Sequence, residues 1–153
     1  MLLKIITNPN SILRKKSKEV KISDIKTKKF QTFCHDLIET MKKKDGVGLA
    51  APQIGKNIRV FVIHNDNLDM IILNPEIIKK SWSKEWGEEG CLSVPNTFGK
   101  VRRHKKIKCR FIDKNGKKQT LDMSGMPARI FQHELDHLDG ILFIDSAKNI
   151  KTV

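Results

Sequence analysis

The chain has 153 residues, 39% hydrophobic and 31% charged, with 30 Lys and Arg against 17 Asp and Glu for a formal net charge of +13. That length suits one domain, residues 1–153, with an apolar core that needs no disulfide staples, and no apolar run approaches the ~20 residues that cross a bilayer. The basic surplus can draw the protein toward polyanions such as ribosomal RNA, yet no zinc-finger or RNP-type pattern accompanies it, and with no Tyr and 2 Trp base stacking is poorly provided for. The start, Met1 to Pro9, carries one lysine and no signal or transit pattern, so a cytoplasmic location is expected. Cys34, Cys91 and Cys109 are an odd number without paired spacing, which favours reduced thiols.

In chain order, Phe30, Phe33, Cys34, Leu37, Ile38 and Met41 follow the i, i+3, i+4, i+7 rule of an amphipathic helix over 30–41. Asp45 to Gly55 then holds three glycines in its last ten residues, which predicts a special backbone path rather than a regular element. Ile58 to Ile63 and Met70 to Leu73 read as short strands joined by a turn over Asn65 to Asp69. Ile107, Cys109 and Phe111 alternate with Lys108 and Arg110 before Asn115-Gly116, a hairpin signal, and Leu121 and Met123 continue the return strand. The stretch Lys100 to Lys118 holds ten basic residues against Asp113 and reads as a solvated basic surface. The last long element opens at Ser124-Gly-Met-Pro127 and stops at Gly140. Its Ala128, Phe131, Leu135 and Leu138 fall on one side of a helical wheel, with Ile130, His133, Glu134 and His137 on the other. Such a helix is central, packed on one side and facing a cleft on the other.

His133-Glu134-Leu135-Asp136-His137 is an H-E-x-x-H motif, in which histidines one helical turn apart can bind one ion with a glutamate beside them. A catalytic site normally has a third protein ligand. A histidine six residues past the second, as in metzincins, is ruled out because that position is Phe143, although Gly140 fits the intervening glycine. A glutamate on a later helix does not fit the 16 residues after His137. The third ligand therefore lies upstream. Cys34 and Cys109 sit in apolar patterns and read as core thiols. Cys91 lies in the polar stretch Glu88-Glu89-Gly90-Cys91-Leu92-Ser93, where a thiolate can point into a cleft, while His35, His64 and His104 remain as isolated alternatives. A Cys/His/His site with one open position is the best reading of the residues.

Three separated motifs, Gly46-Val-Gly-Leu-Ala-Ala-Pro-Gln53, Glu89-Gly-Cys-Leu-Ser93 and Gln132-His-Glu-Leu-Asp-His137, resemble in order and spacing the signatures of the peptide deformylases. The similarity extends from Asn8-Pro9 and Leu13-Arg14 through Gly99-Lys-Val-Arg-Arg103 to Gly140-Ile-Leu-Phe143, nearly the whole chain. The resemblance implies an α+β fold with antiparallel strands wrapped around the central motif helix, and a hydrolase that removes the formyl group from the N-terminal formyl-methionine of new polypeptides. It implies Cys91, His133 and His137 as ligands of one divalent ion, Fe(II) physiologically with zinc, nickel or cobalt as substitutes. It further implies Glu134 as the acid/base, Gln53 and the Leu92 N–H toward the oxyanion, Gly48 and Gly90 along the substrate main chain, and Val47 and Ile130 lining a methionine pocket. The residues alone also allow Gln53 merely to bond its own glycine loop. Expected partners are N-formylmethionyl nascent peptides and a transient ribosome contact through the basic surface, with no membrane and a monomeric state. There are two departures. Asn96 follows the proline of the second motif where many members have glycine, and the chain ends soon after Asp145 where many relatives continue into a C-terminal helix.

Overall fold

The computed structural model describes residues 1–153. Thr27 starts the first long helix by accepting the Phe30 N–H at 3.2 Å on its Oγ1. That helix, α2 (Lys28–Lys43), follows a one-turn helix, α1 (Ile22–Ile25). Phe30, Cys34, Leu37 and Met41 form its buried stripe, as their spacing predicts. They pack with Val60, Val62 and Leu73 into one apolar cluster, in which a fully buried aliphatic side chain contributes about 1.5–3 kcal/mol.

The glycine-rich segment is more regular than its sequence suggests. Gly48–Ala50 is a three-residue strand, β1, and Ala51–Ile54 a 3-10 turn closed by Gly55 at φ 87°. Beyond it, β2 (Val60–Asn65) and β3 (Leu68–Lys80) form a hairpin whose tight turn is Asp66-Asn67, both at positive φ. β3 runs far past the four residues its apolar core marks. A bulge after Leu73 lets it continue, pinned by Asn74, whose side chain accepts the Val20 N–H at 2.8 Å and donates to the Val20 carbonyl at 2.9 Å. With β6 (Lys106–Ile112) and β7 (Lys118–Ser124), the predicted basic ribbon, these strands make a five-stranded sheet in the order β1-β2-β3-β6-β7. Ile107, Cys109 and Phe111 face inward while Arg110 faces water.

A second sheet, β4-β5-β8, was not legible in the sequence. β4 (Lys84–Cys91) is mostly polar and exposed, β5 (Val94–His104) alternates buried and exposed residues only from Phe98 to Arg103, and β8 (Lys148–Thr152) is exposed throughout. The segment around Cys91 is therefore a strand end, and the residues after Asp145 form a strand on the β5 edge, with Thr97 opposite Thr152 and Lys100 opposite Lys148. Between the sheets lies α3 (Gly125–Leu138), with Ser124 at its N-cap position and Gly140 at φ 75° beyond its end. Ser17 and Arg59 donate to its last carbonyl, Leu138 O, at 2.8 and 3.2 Å, so a terminus that would otherwise be orphaned is satisfied from outside the helix. All named strand pairs are antiparallel and they surround α3, an α+β arrangement as the resemblance implies.

Candidate metal centre

α3 is buried on both faces. Ala128, Phe131 and Leu138 are fully covered and Phe131 meets Phe61 edge-on at 5.1 Å, while Ile130, His133, Glu134 and His137 on the other side are at most 9% exposed. One helical turn sets the His133 and His137 rings 5.0 Å apart. The end of β4 brings Cys91 to them, with its Sγ 3.3 Å from His137 Nε2. One donor atom from each of the three residues lies within 4.8 Å of the other two. The alternatives are engaged elsewhere: His64 Nδ1 meets Asp69 at 2.7 Å, His104 Nδ1 donates to Ser81 O at 2.7 Å, and His35 stands exposed on α2. Cys34 and Cys109 are core thiols, which burial pushes up to about 12 and about 11.

Donor chemistry and local charge fit a divalent ion. His133 Nδ1 is held by Glu89 Oε1 at 2.8 Å, which fixes the ring and turns Nε2 toward Cys91 and His137. Burial, followed by the nearby His133 and Arg103 charges, drives His137 well below its ordinary range, so its imidazole is neutral as a ligand must be. Its Nδ1 is buried with no partner in the protein. Burial opposes a charge on His133, yet the Cys91 and Glu89 hydrogen bonds outweigh it and push the ring up to about 10, evidence that this point of the site favours positive charge.

Glu89 is the residue the sequence reading passed over. Its carboxylate accepts Arg103 Nε and Nη2, both at 2.9 Å, and Arg129 Nη1 at 2.6 Å, besides orienting His133. Burial alone would raise this carboxyl, but the Arg103 and then the His133 hydrogen bonds hold it well below the usual carboxylate range. Arg103 also reaches Asp136 at 2.6 Å. It is 8% exposed, so one member of the stretch read as solvated basic surface is a buried structural cation. The available signal was the alternation of β5, which turns Val101 and Arg103 inward and Arg102 outward.

Glu134 is 4% exposed, and burial pushes its carboxyl up to about 7. Its Oε1 has no hydrogen-bond partner in the protein. A Cβ at Gly48 would stand 2.8 and 2.9 Å from Glu134 Cδ and Cγ, so only glycine lets β1 pass this carboxylate. Gln53 bonds its own loop, as the residues alone allow. Its Oε1 accepts the Ala50 N–H at 2.9 Å, while Nε2 donates to Ser93 Oγ at 3.1 Å and approaches Cys91 Sγ at 3.5 Å.

These groups open on a cleft of about 660 Å³ with α3 as its floor, β1 on one wall and the β4–β5 hairpin on the other. Val47, Gly48, Gly90, Leu92 and Ile130 all line it, Val47 half-exposed and Ile130 buried. β1 and β4 are edge strands of their sheets, so two backbone edges flank the cleft. Asn96, also on its wall, sits at φ 57°, a left-handed conformation that asparagine tolerates and glycine adopts freely. The departure at this position is thus conformationally neutral.

A cysteine sulfur and two imidazoles gathered on a cleft floor, with a buried carboxyl next to a ligand in sequence, are the equipment of a metal-dependent hydrolase. Comparison with known proteins narrows this class. Residues 2–153 match the family model for polypeptide deformylase. The peptide deformylase of Desulforudis audaxviator is 43% identical over 150 residues, covering 97% of this chain and 96% of its own length. Among solved structures, that of the Thermotoga maritima peptide deformylase superposes with a TM-score of 0.92 at 38% identity, covering 97% of this chain and 99% of its own. A class I type b peptide deformylase from Acinetobacter baumannii, solved with Met-Ala-Ser bound, gives 0.92 at 32% identity over 95% of this chain and 98% of its own. The chain belongs to the polypeptide deformylase family, metal-dependent enzymes that remove the N-formyl group from nascent peptides.

Proposed function

We propose that Cys91, His133 and His137 hold one divalent ion, Fe(II) in the cell with zinc, nickel or cobalt able to replace it, and that Glu134 moves the proton during deformylation. The observation that carries this reading is the set of three donor atoms within 4.8 Å beside a buried, unpartnered Glu134 oxygen. When bound, a divalent ion supplies a Lewis acid that brings the pKa of a water from 15.7 toward ~7. Glu134, whose carboxyl burial raises to about 7, would accept a proton from the attacking water and hand it to the leaving amine, a two-way role suited to that value. Gln53 Nε2 and the Leu92 N–H share the charge that develops on the formyl oxygen, donors typically worth ~2.7 to 4 kcal/mol each.

The formyl-methionyl peptide lies extended between the edges of β1 and β4, where Gly48 and Gly90 let its main chain approach and Val47 with Ile130 lines the methionine side chain. The Acinetobacter baumannii relative was solved with Met-Ala-Ser bound, a peptide of the chemistry proposed for this cleft. Residues 1–153 act as a single domain and a monomer in the cytoplasm, meeting nascent chains at the ribosome through the basic surface. No helix is long and apolar enough to cross a membrane.

Anaerobic purification with metal analysis and turnover measured on the same sample tests the reading. Iron at about one per chain is expected. Formyl-Met-peptide should exceed acetyl-Met-peptide and formyl-Asp-peptide in kcat/KM by at least about tenfold, equivalent to ~1.4 kcal/mol. Comparable rates on all three, or cleavage inside an unformylated peptide, contradict it.

A further inference from the structure

Trp82 is 101% exposed, though an indole left in water forgoes the burial that normally stabilises a fold. It occupies the three-residue connection Ser81–Ser83 between β3 and β4, which is bolted to the β5–β6 turn. Ser81 N donates to Lys106 O at 2.9 Å, Lys105 N to Ser83 O at 3.1 Å and Lys106 N to Ser81 Oγ at 3.1 Å. Ser81 Oγ donates to Ser83 O at 2.8 Å, and His104 Nδ1 donates to Ser81 O at 2.7 Å. The loop is held at both ends, and the ring stands out from it.

Lysines flank this loop. Lys79 and Lys80 end β3, Lys84 begins β4, and Lys105 and Lys106 form the turn to which the loop is bolted, all exposed. Lys79 stands directly opposite Lys108 across β3 and β6, a like-charge pair that costs stability. The one lysine in the chain with an ion-pair partner is Lys42. The acids nearby are mostly engaged: Asp122 faces Lys108 across β6 and β7, Glu76 is paired with Arg110, Asp136 with Arg103 and Asp139 with Arg59, while Glu85 follows Lys84 and Glu19 lines the hollow beyond. A groove of about 480 Å³ runs between Lys79, Lys80, Lys106 and Lys108, with Asp122 its one acid, and it adjoins a hollow of about 800 Å³ of mixed charge that adds Lys84 and Arg102. Neither shares a residue with the catalytic cleft.

We infer that this face docks RNA, the lysines tracking phosphates along the groove and Trp82 stacking on an unpaired base. Charge complementarity selects a polyanion, and an exposed indole carried on a hydrogen-bonded loop between the charges selects one that offers π-faces. A lipid surface fits less well, since the groove's own apolar residues, Ile107 and Met123, are buried, and only Trp82 and the part-exposed Ile78 of the adjoining hollow remain to insert. The inference deepens the nascent-chain reading, because substrates of this family emerge from an RNA-rich particle. Base stacking, poorly provided for by composition, is provided for by position.

The test is fluorescence anisotropy with a labelled RNA hairpin carrying an unpaired purine loop, its blunt duplex stem, and flotation with phosphatidylglycerol–phosphatidylcholine vesicles. Trp82→Ala should weaken hairpin binding roughly 5- to 100-fold and leave duplex binding unchanged, whereas Lys79→Glu with Lys106→Glu should weaken both and flatten the salt dependence. Formyl-Met-peptide turnover, read alongside, should be unchanged in all variants. A Trp82→Ala chain that binds the hairpin like the wild type, or a wild type that floats with vesicles and ignores the hairpin, overturns the inference. Hairpin binding through Trp82 by a chain that turns over no formyl peptide supports the surface and contradicts the catalytic reading.

Discussion

The two faces of α3 are buried to nearly the same degree and held by different physics. On one face Ala128, Phe131 and Leu138 fill space against the five-stranded sheet, and non-directional burial suffices. On the other, His133, Glu134 and His137 are as deeply covered, yet each polar group needs a particular partner. Glu89 meets that need for His133 while being held itself by two arginines, and Glu134 Oε1 and His137 Nδ1 are left without a protein partner. The comparison teaches where this fold spends stability. The apolar face contributes it, and the polar face holds groups ready for chemistry.

Glu134→Ala should sharpen that contrast most, lowering the rate by roughly 10² to 10⁴, the usual span for a lost general acid/base, while the bound metal stays. Steady-state rates beside metal analysis check it, and metal loss without the rate defect would place Glu134 among the ligands. Next come paired truncations, one on each face. Phe131→Ala removes a fully buried ring and should cost ~3 to 5 kcal/mol in denaturant unfolding without changing the metal affinity of the folded fraction. Glu89→Ala should cost about the same ~3 to 5 kcal/mol, because Arg103 and Arg129 lose the carboxylate between them. It should also weaken metal binding roughly 10- to 100-fold through His133. Equal metal affinities in the two variants would break the comparison. The smallest effect concerns the core thiols. With Cys34 up at about 12 and Cys109 at about 11, thiolate is scarce at pH 8, so mass spectrometry should find both resisting iodoacetamide in the folded, metal-free protein while Cys91 at the cleft reacts first.

What could be read from the sequence follows the same division. α2, α3 and the β6–β7 ribbon carry their periodicity in apolar side chains, so Phe30 to Met41, Ala128 to Leu138 and Ile107 to Phe111 announce themselves. β4 and β8 bury few side chains and are polar along their length, and the alternation of β5 turns Gly99 and Arg103 inward beside Val101, so no apolar alternation marks these strands. The ligand histidines were legible because helical spacing places them, and Cys91 by contrast with two thiols in apolar patterns. Glu89 and Arg103 were not, because their roles arise from a meeting of β4, β5 and α3 across 44 residues of chain between Glu89 and His133. Gly48 was legible as a glycine needed for close approach, but its nearest neighbour in the fold is Glu134. Trp82 looked unremarkable until the loop hydrogen bonds placed it outside.

The central claim is that β4 delivers the third metal donor to the polar face of α3. It is tested most directly by metal stoichiometry in Cys91→Ala, purified anaerobically beside Cys34→Ala and Cys109→Ala. The account predicts that Cys91→Ala retains neither metal nor formyl-peptide turnover while remaining folded by circular dichroism, and that the other two variants retain both. A Cys91→Ala protein carrying one metal per chain and turning over at the wild-type rate would contradict it.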